Sequence, residues 1–282
     1  MIIAVASGKG GTGKTTIAVN LAWWLSIQGK AARYFDCDVE EPNGHLFLLP
    51  QLENLNAASI PVPLIDDIKC DGCGECVRAC EYKALAGIGK TVLVFEELCH
   101  GCGGCKAICP RQAITEKDHP IGMVECGWSN AIEFISGRLN VGEPMSPPLI
   151  RQVLTHAKND RINIIDAPPG TSCPVISAVR KADFVVLVTE PTPFGLHDLG
   201  LALDMVRTLG LPHAVVVNKA IPGILSAREF CGKAQVDILD EIPDDRRIAE
   251  VYSTGEIFCR VLPAYERHLS ALWAGIEKRL KP

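Results

Sequence analysis

Eight of the thirteen cysteines fall into two copies of one spacing, and thiolates spaced in this way bind metals. The copies read Cys70-x2-Cys73-x2-Cys76-x3-Cys80 and Cys99-x2-Cys102-x2-Cys105-x3-Cys109. Such thiolates hold iron–sulfur clusters or tetrahedral zinc, and in an oxidising compartment they form disulfides. The duplication favours two cubane clusters, because each copy offers three closely spaced thiolates and a fourth that can serve the opposite site.

This duplicated run resembles the cysteine pattern of bacterial ferredoxins that carry two [4Fe–4S] clusters. The resemblance implies a crossed set of ligands. One cluster would take Cys70, Cys73, Cys76 and Cys109, and the other would take Cys99, Cys102, Cys105 and Cys80. The segment between the two copies is long enough for a hairpin, so we expect one there.

A second group of residues suited to chemistry lies near the start of the chain, between an apolar run at 2–6 and a helical pattern at 17–27. It reads Gly8-Lys9-Gly10-Gly11-Thr12-Gly13-Lys14-Thr15-Thr16. This context predicts a P-loop that binds ATP or ADP, in which glycines let backbone N–H groups surround the phosphates at a helix N-terminus. We expect Lys14 to reach the β- and γ-phosphates and Thr15 to hold Mg²⁺.

The early lysine of the loop, Lys9, resembles the signature lysine of the deviant Walker A ATPases. That class contains MinD, ParA, the nitrogenase iron protein and the Mrp-type cluster carriers. The resemblance implies a slow, Mg-dependent and partner-stimulated ATPase that works as a homodimer. It also implies that Lys9 reaches across the dimer to the other subunit's nucleotide and acts in catalysis together with Lys14.

Two aspartates that follow strand-like segments extend this resemblance. Asp38 resembles the first-switch carboxylate that orients the attacking water, a position that suits phosphoryl transfer because this reaction depends on positioning and charge compensation. Asp166, after the apolar run 162–165, resembles the Walker B residue that polarises the Mg²⁺ shell. Gly170 would offer a backbone N–H to the γ-phosphate and let its loop move when that phosphate leaves.

Further along the chain, three residues resemble the adenine-reading positions of the same class. Asn218 follows the apolar run 215–217, and Pro243 and Asp244 resemble the loop that closes over the base. Asparagine at a strand end is also a common turn former. The resemblance therefore implies contacts with the base, and a purely local turn is the alternative.

The rest of the chain predicts an α/β fold with a doubly wound, mostly parallel sheet. Apolar strand-like runs alternate with helix-like patterns. The strands are expected at 2–6, 31–35, 162–165, 183–189 and 213–217, and the helices at 14–28, 146–158, 195–209 and 224–235. At 282 residues with 48% hydrophobic residues, the chain is long enough to bury such a sheet.

The cysteine repeats interrupt this pattern and predict a small inserted α+β domain of ferredoxin type. We expect the ATPase domain to occupy 1–62 and 118–282, and the insert to occupy 63–117. About fifty residues are too few for a large hydrophobic core, so bound clusters would stabilise the insert. Because the insert lies between the two expected switches, a loop rearrangement on hydrolysis could move the clusters.

Charge and hydropathy limit the kinds of partner that we expect for this chain. A net charge of −5 gives no electrostatic case for nucleic acid, and no run reaches the roughly eighteen apolar residues of a membrane-spanning helix. The amphipathic segment with Leu269, Leu272, Trp273, Ile276 and Leu280 resembles a membrane-targeting tail, but we expect it to pack on the core. The chain opens without a basic leader, so we expect a cytoplasmic, reducing location.

Five cysteines lie outside the repeats, and most are expected to be small buried hydrophobic residues. They are Cys37, Cys126, Cys173, Cys231 and Cys259. Cys173 lies seven residues after Asp166, a spacing that resembles an intersubunit cluster ligand of the nitrogenase iron protein. A structural role remains the preferred interpretation of Cys173.

Three functions are compatible with these patterns. We favour an ATPase that couples its nucleotide state to iron–sulfur cluster or metallocofactor assembly, or to low-potential electron transfer. The first alternative is a positioning ATPase like MinD or ParA, with the clusters as redox sensors or structural supports. The second is a nucleotide-binding scaffold that does not hydrolyse ATP. The redox or cofactor-assembly partner is not predicted by the sequence.

Overall fold

A computed structural model describes residues 1–280, which contain one nine-stranded sheet and one two-stranded sheet. The strands are β1 (Ile2–Ala6), β2 (Ala32–Asp36), β3 (Gln51–Ile65), β4 (Leu85–Ile88), β5 (Thr91–Val94), β6 (Ile114–Ser129), β7 (Ile132–Leu139), β8 (Ile162–Asp166), β9 (Phe184–Thr189), β10 (His213–Ala220) and β11 (Ile238–Pro243). The large sheet has the order β11-β10-β9-β1-β8-β2-β7-β6-β3, and β4 pairs with β5.

Helices connect these strands and cover the large sheet. They are α1 (Lys14–Ile27), α2 (Gly44–Leu48), α3 (Glu75–Ala79), α4 (Gly104–Ile108), α5 (Pro147–Val153), α6 (Cys173–Val179), α7 (Pro193–Thr208), α8 (Ser226–Ala234), α9 (Arg246–Ser253), α10 (Phe258–Val261) and α11 (Glu266–Leu280). Short 3-10 turns occur at Glu96–Leu98, Leu154–His156 and Pro263–Tyr265.

From β11 to β7 the neighbouring strands of the large sheet are parallel, whereas β6 and β3 are antiparallel to their neighbours. The expected doubly wound α/β fold is confirmed. The five strands predicted from apolar runs are present. The sequence analysis did not predict the other four strands of the large sheet, which are β3, β6, β7 and β11. The first half of β3 mixes polar and apolar residues, and all residues from 51 to 57 are open to solvent.

Two apolar clusters lie on the two faces of the large sheet. The strands between them are buried on both sides, which is why they read as continuous runs of isoleucine and valine. One cluster includes the expected terminal helix, since Leu269, Leu272, Trp273 and Ile276 of α11 are all buried there. This helix therefore packs on the core as expected.

The cysteine repeats lie between β3 and β6, two strands that pair along almost their whole length from Gln51 with Trp128 to Ile65 with Ile114. Both strands run through the expected domain borders at 62/63 and 117/118. Beyond their ends, α3, the hairpin of β4 and β5, and α4 enclose a separate small cluster that includes Leu85, Val92 and Ile114. The expected hairpin is thus present between the two cysteine runs.

No helix within residues 1–280 is both long enough and apolar enough to cross a membrane.

Candidate functional site

The glycine-rich loop joins β1 to α1 at the carboxyl edge of the sheet. Gly13 has φ 91°, a left-handed conformation that favours glycine, and a Cβ there would lie 2.1 Å from Nδ2 of Asn218. The carboxyl ends of β2 and β8 lie beside this loop, because Asp36 pairs in register with Asp166, which pairs with Val5 of β1. The parallel register thus gathers carboxylates around the start of α1.

A buried ion pair joins the start of α1 to the end of β8. Lys14 Nζ lies 2.9 Å from Asp166 Oδ1, and both side chains are almost fully buried. Burial opposes the charged form of Lys14, but Asp166 and other nearby carboxylates raise its pKa above the ordinary value. The second carboxylate oxygen of Asp166 accepts a 2.9 Å hydrogen bond from the hydroxyl of buried Tyr34.

Asp36, which the sequence interpretation missed, is fully buried next to this pair. Burial and the neighbouring Asp166 raise the pKa of Asp36 to about 8. One of its oxygens accepts a 2.7 Å hydrogen bond from the N–H of Gly44, the first residue of α2. Asp36 therefore ties the end of β2 to the helix that follows the expected first switch.

Asp38 lies two residues further along and is partly exposed. Burial raises its pKa to about 6, with Lys14 acting in the opposite direction and Asp166 adding to the rise. A carboxylate with a pKa near 6 is mostly ionised at neutral pH and can accept a proton or orient a water. Its position beside Lys14 therefore suits the role that the sequence predicts.

An open cavity runs along this edge of the sheet. Eleven of the residues predicted to bind or process the nucleotide line it: Lys9, Gly10, Gly11, Gly13, Lys14, Thr15, Thr16, Asp38, Asn218, Pro243 and Asp244. Tyr252 and Ile248 of α9 also line it, and no motif in the sequence had singled them out. The P-loop thus lies at one cavity with the strand ends that were expected to read adenine.

Four predicted residues are not among those that line the cavity. Gly8 packs on α7, where a Cβ would lie 2.1 Å from the carbonyl oxygen of Asp198. The backbone of Thr12 accepts a 2.8 Å hydrogen bond from the Asn218 amide, and Gly170 donates a 3.0 Å backbone hydrogen bond to Ser7. Asp166 acts on the cavity through Lys14. These four residues shape the loop from outside the cavity.

Lys9 forms an ion pair that the sequence did not reveal. Its ammonium lies 2.5 Å from Oε1 of Glu190, which follows β9. Lys219 Nζ lies 3.3 Å from the other oxygen of Glu190 and donates a 2.9 Å hydrogen bond to the carbonyl of Gly11. One carboxylate therefore binds two lysines that both line the cavity.

The cysteine repeats form two further cavities. One is lined by Cys70, Cys73, Cys76 and Cys109 together with apolar residues such as Val92 and Ile114. The other is lined by Cys80, Cys99, Cys102 and Cys105. The grouping is the crossed one, in which the last cysteine of each run lies with the first three of the other run.

The two runs share one backbone conformation. Gly72 and Gly74 have φ 74° and 73° around the central cysteine of the first run, and Gly101 and Gly103 have φ 64° and 70° around that of the second. Backbone N–H groups also approach the sulfurs, from Gly101 to Cys99 Sγ at 3.5 Å and from Ala113 to Cys109 Sγ at 3.3 Å. Hydrogen bonds of this kind stabilise ligating thiolates and tune cluster potentials.

Each cysteine cavity offers four thiols, which is the number of thiolate ligands that a [4Fe–4S] cluster takes. Within residues 1–280, no three His, Cys, Asp or Glu side chains lie close enough to hold one metal ion. A [4Fe–4S] cluster makes a different demand, because its four thiolates bind four different iron atoms. Two four-cysteine cavities with apolar walls fit that demand.

The remaining cysteines behave largely as expected. Cys37, Cys231 and Cys259 are buried, and burial is the main cause that raises the pKa of each thiol. Cys126 is partly buried, with its sulfur 3.9 Å from Nδ1 of His156. Cys173 is exposed at the first turn of α6.

Similar proteins place these sites in context. An uncharacterised protein of Methanocaldococcus jannaschii is 35% identical over 267 residues, covering 92% of each chain. An iron–sulfur cluster carrier protein of Pyrococcus horikoshii is 26% identical over 275 residues, covering 90% of this chain and 77% of that one. The crystal structure of the cell division ATPase MinD of Pyrococcus furiosus has the same fold, with a TM-score of 0.61, 20% identity and 98% coverage of both chains.

The family comparison covers most of the chain. Residues 3–258 match the CobQ/CobB/MinD/ParA nucleotide binding domain, a span that includes both the P-loop and the cysteine repeats. This match and the MinD-like fold together show that the chain belongs to the CobQ/CobB/MinD/ParA family of P-loop NTPases.

Proposed function

We propose that this chain is a Mg-dependent ATPase that carries two [4Fe–4S] clusters and couples its nucleotide state to them. The coupled process would be iron–sulfur cluster or metallocofactor assembly, or low-potential electron transfer. The observation that carries the proposal is that one chain contains both a family P-loop and two four-cysteine cavities. Relatives named as iron–sulfur cluster carrier proteins, at 24–26% identity, add weaker support.

The cluster half of the proposal rests on residues 63–117. Cys70, Cys73, Cys76 and Cys109 would hold one cluster, and Cys99, Cys102, Cys105 and Cys80 would hold the other. Bound clusters of this type supply one-electron redox chemistry at low potential. The chain contributes apolar walls that limit water and backbone N–H groups that approach the sulfurs.

The ATPase half rests on the open cavity at the edge of the sheet. Lys14 would bind the β- and γ-phosphates, and Thr15 with Asp166 would position Mg²⁺, which compensates phosphate charge. Asp38 would orient the attacking water. Asn218, Pro243 and Asp244, which line the same cavity, would contact the adenine. The loop at Gly170 would move when the γ-phosphate leaves.

Nucleotide binding would rearrange the buried pair at the centre of the site. Lys14 is held by Asp166 at 2.9 Å, so a phosphate oxygen must take over the ammonium while Asp166 turns to the metal shell. The exchange keeps each buried charge compensated, which a buried site requires. Because Asp36 ties this region to α2, the exchange reaches the first switch directly.

The proposal also includes a homodimer in the cytoplasm. A dimer would let Lys9 of each subunit reach the nucleotide of the other. A reducing compartment would keep the eight repeat thiolates available to iron. We also propose that the cysteine-containing insert begins and ends at the domain borders 62/63 and 117/118.

A reconstitution experiment tests both halves. We expect anaerobically reconstituted protein to contain about eight iron and eight sulfide per chain, as two [4Fe–4S] clusters require, and to hydrolyse ATP slowly in Mg²⁺. Lys14→Ala should abolish hydrolysis while iron and sulfide stay unchanged, because this lysine lies outside both cysteine cavities. Protein that binds zinc instead of iron, or that hydrolyses ATP equally well without Lys14, would refute the corresponding half.

A further inference from the structure

Glu190 contacts two lysines that line the cavity at the carboxyl edge of the sheet. It lies between the end of β9 and the start of α7, and its carboxylate binds Lys9 at 2.5 Å and Lys219 at 3.3 Å. Its side chain is only 15% exposed. Although burial acts in the opposite direction, hydrogen bonds from these lysines lower the pKa of Glu190, so the carboxylate is ionised at neutral pH.

The local structure fixes this carboxylate. Thr192 donates a 3.2 Å hydrogen bond to Glu190 Oε1 and caps α7 by accepting a 3.0 Å bond from the N–H of Gly195. A Cβ at Gly195 would lie 2.8 Å from Cγ of Glu190 and 2.5 Å from its carbonyl oxygen. Because Gly195 packs this closely on Glu190, the Glu190 side chain has little room to move.

We infer that Glu190 is a positioning residue that holds Lys9 inside its own subunit until a nucleotide triphosphate draws Lys9 away. This inference rests on the proposed function, in which Lys9 engages a phosphate of the other subunit's nucleotide. Lys9 cannot make a close ion pair with Glu190 and reach another subunit at once. A triphosphate carries more negative charge than a carboxylate, so phosphate competes well for the ammonium.

Lys219 makes the release feasible. When Lys9 leaves, Glu190 still has Lys219 as a partner, so no unpaired charge is left in a mostly buried position. Lys219 also binds the carbonyl of Gly11, so the shape of the P-loop is supported throughout. The pair of lysines thus lets one leave at small cost while the other remains.

Chemical labelling of Lys9 tests the hold itself. In nucleotide-free protein we expect slow acylation of Lys9 by a succinimidyl ester, read by mass spectrometry, because the 2.5 Å contact with Glu190 hinders the approach of the reagent to the Lys9 nitrogen. Glu190→Gln should speed labelling of Lys9 about three- to ten-fold, the range for losing one charge-assisted contact, while exposed Lys233 stays constant as an internal reference. Equal labelling of Lys9 in both proteins would overturn the inference.

Dimer formation tests the consequence. With Mg²⁺ and a non-hydrolysable ATP analogue, Glu190→Gln should lower the dimer dissociation constant about three- to ten-fold in sedimentation. Glu241→Gln removes a pair with Arg228 elsewhere and should match wild type. In a Lys9→Ala background the effect of Glu190→Gln should vanish.

The outcomes separate this inference from the proposed function. An effect that persists without Lys9 would mean that Glu190 is merely structural, and an unchanged dimer constant would remove its control over Lys9; either result overturns the inference. Wild-type protein that neither dimerises nor hydrolyses ATP would instead refute the proposed function, and the labelling result would still decide whether Glu190 holds Lys9.

Discussion

At the scale of single residues, the site is governed by carboxylates packed around one lysine. Asp36 and Asp166 are both buried near Lys14, but Lys14 forms its ion pair with Asp166. The raised pKa of Asp36, about 8, means that the folded protein binds a proton that the unfolded chain has lost at neutral pH. The free energy of unfolding therefore falls as the pH rises, because the buried carboxyl group of Asp36 must lose its proton.

Replacing this carboxylate should make the cost measurable. The folded pKa of Asp36 lies above the ordinary value of 3.8, so its contribution is complete below pH 3.8 and is lost progressively as the pH rises to about 8. Relative to Asp36→Asn, wild-type protein should lose up to about 1.4 kcal/mol of unfolding free energy per pH unit across that range. Urea unfolding between pH 6 and 8.5 measures it, with exposed Asp204→Asn as a flat control. A pH-independent difference for Asp36→Asn would contradict the burial argument.

The cysteine side chains allow a test of crossed ligation. Cys80→Ser and Cys109→Ser should each lower the iron content from about eight to about four per chain, since each removes one ligand of one cluster. Adding Cys102→Ser to Cys80→Ser should cost no further iron, because both residues line the same cavity.

The complementary pair gives the contrasting result. Adding Cys102→Ser to Cys109→Ser should remove nearly all iron, because these cysteines line different cavities. Cys126→Ser lies outside both cavities and serves as the control. The reverse pattern, with near-total loss in the Cys80 and Cys102 combination, would show that each run holds its own cluster.

At the scale of elements, apolar periodicity predicted those parts of the chain that are buried on both sides. The central strands β1, β8 and β9 lie between two apolar clusters, so their sequences are continuous and recognisable. The long strands β3 and β6 were not predicted from apolar periodicity, because half of β3 is exposed and its pattern is set by pairing with β6.

The same contrast explains which site residues the sequence revealed. The P-loop and the cysteine runs are local motifs whose spacing carries the chemistry. Glu190, Lys219 and Asp36 become visible only when distant segments meet, since Glu190 lies 181 positions from Lys9. Asp36 also needs knowledge of its burial, which strand register determines and a single sequence does not state.

The terminal helix gives a prediction at this scale. Leu272 of α11 is buried in the apolar cluster beside α1, so Leu272→Ala should lower the unfolding free energy by about 2–5 kcal/mol. Lys278 is exposed on the same helix, and Lys278→Ala should change it by less than about 0.5 kcal/mol. Chemical unfolding followed by circular dichroism measures both. A small effect of Leu272→Ala would favour a detachable tail over a core helix.

At the scale of the whole molecule, the cysteine unit is joined to the nucleotide edge by packed structure. Cys99 packs against the same apolar cluster that contains Val39, the residue after Asp38. Gln152 of α5 donates a 2.8 Å hydrogen bond to the carbonyl of Ser59 on β3, and α5 also packs on the sheet near Val39, where Gly137 leaves room for both. This continuity offers a physical route from the first switch to the second cysteine cavity.

A second link lies at the junction of the two units. His119 of β6 contacts Glu96, which follows the hairpin, at 3.2 Å and Glu143, which follows β7, at 3.2 Å. With two long paired strands as well, the cysteine unit is attached at several points and not by a single tether. A rearrangement at the nucleotide edge should therefore reach the cysteine cavities through packing.

The most direct test of the central claim is the EPR spectrum and midpoint potential of the reduced, reconstituted protein with Mg·ATP and with Mg·ADP. We expect two cubane signals whose potential or line shape differs between the nucleotides, and no such difference in Lys14→Ala. Two intact clusters with identical spectra and potentials in both nucleotides would contradict coupling, and would favour a positioning ATPase in which the clusters serve as sensors or structural supports.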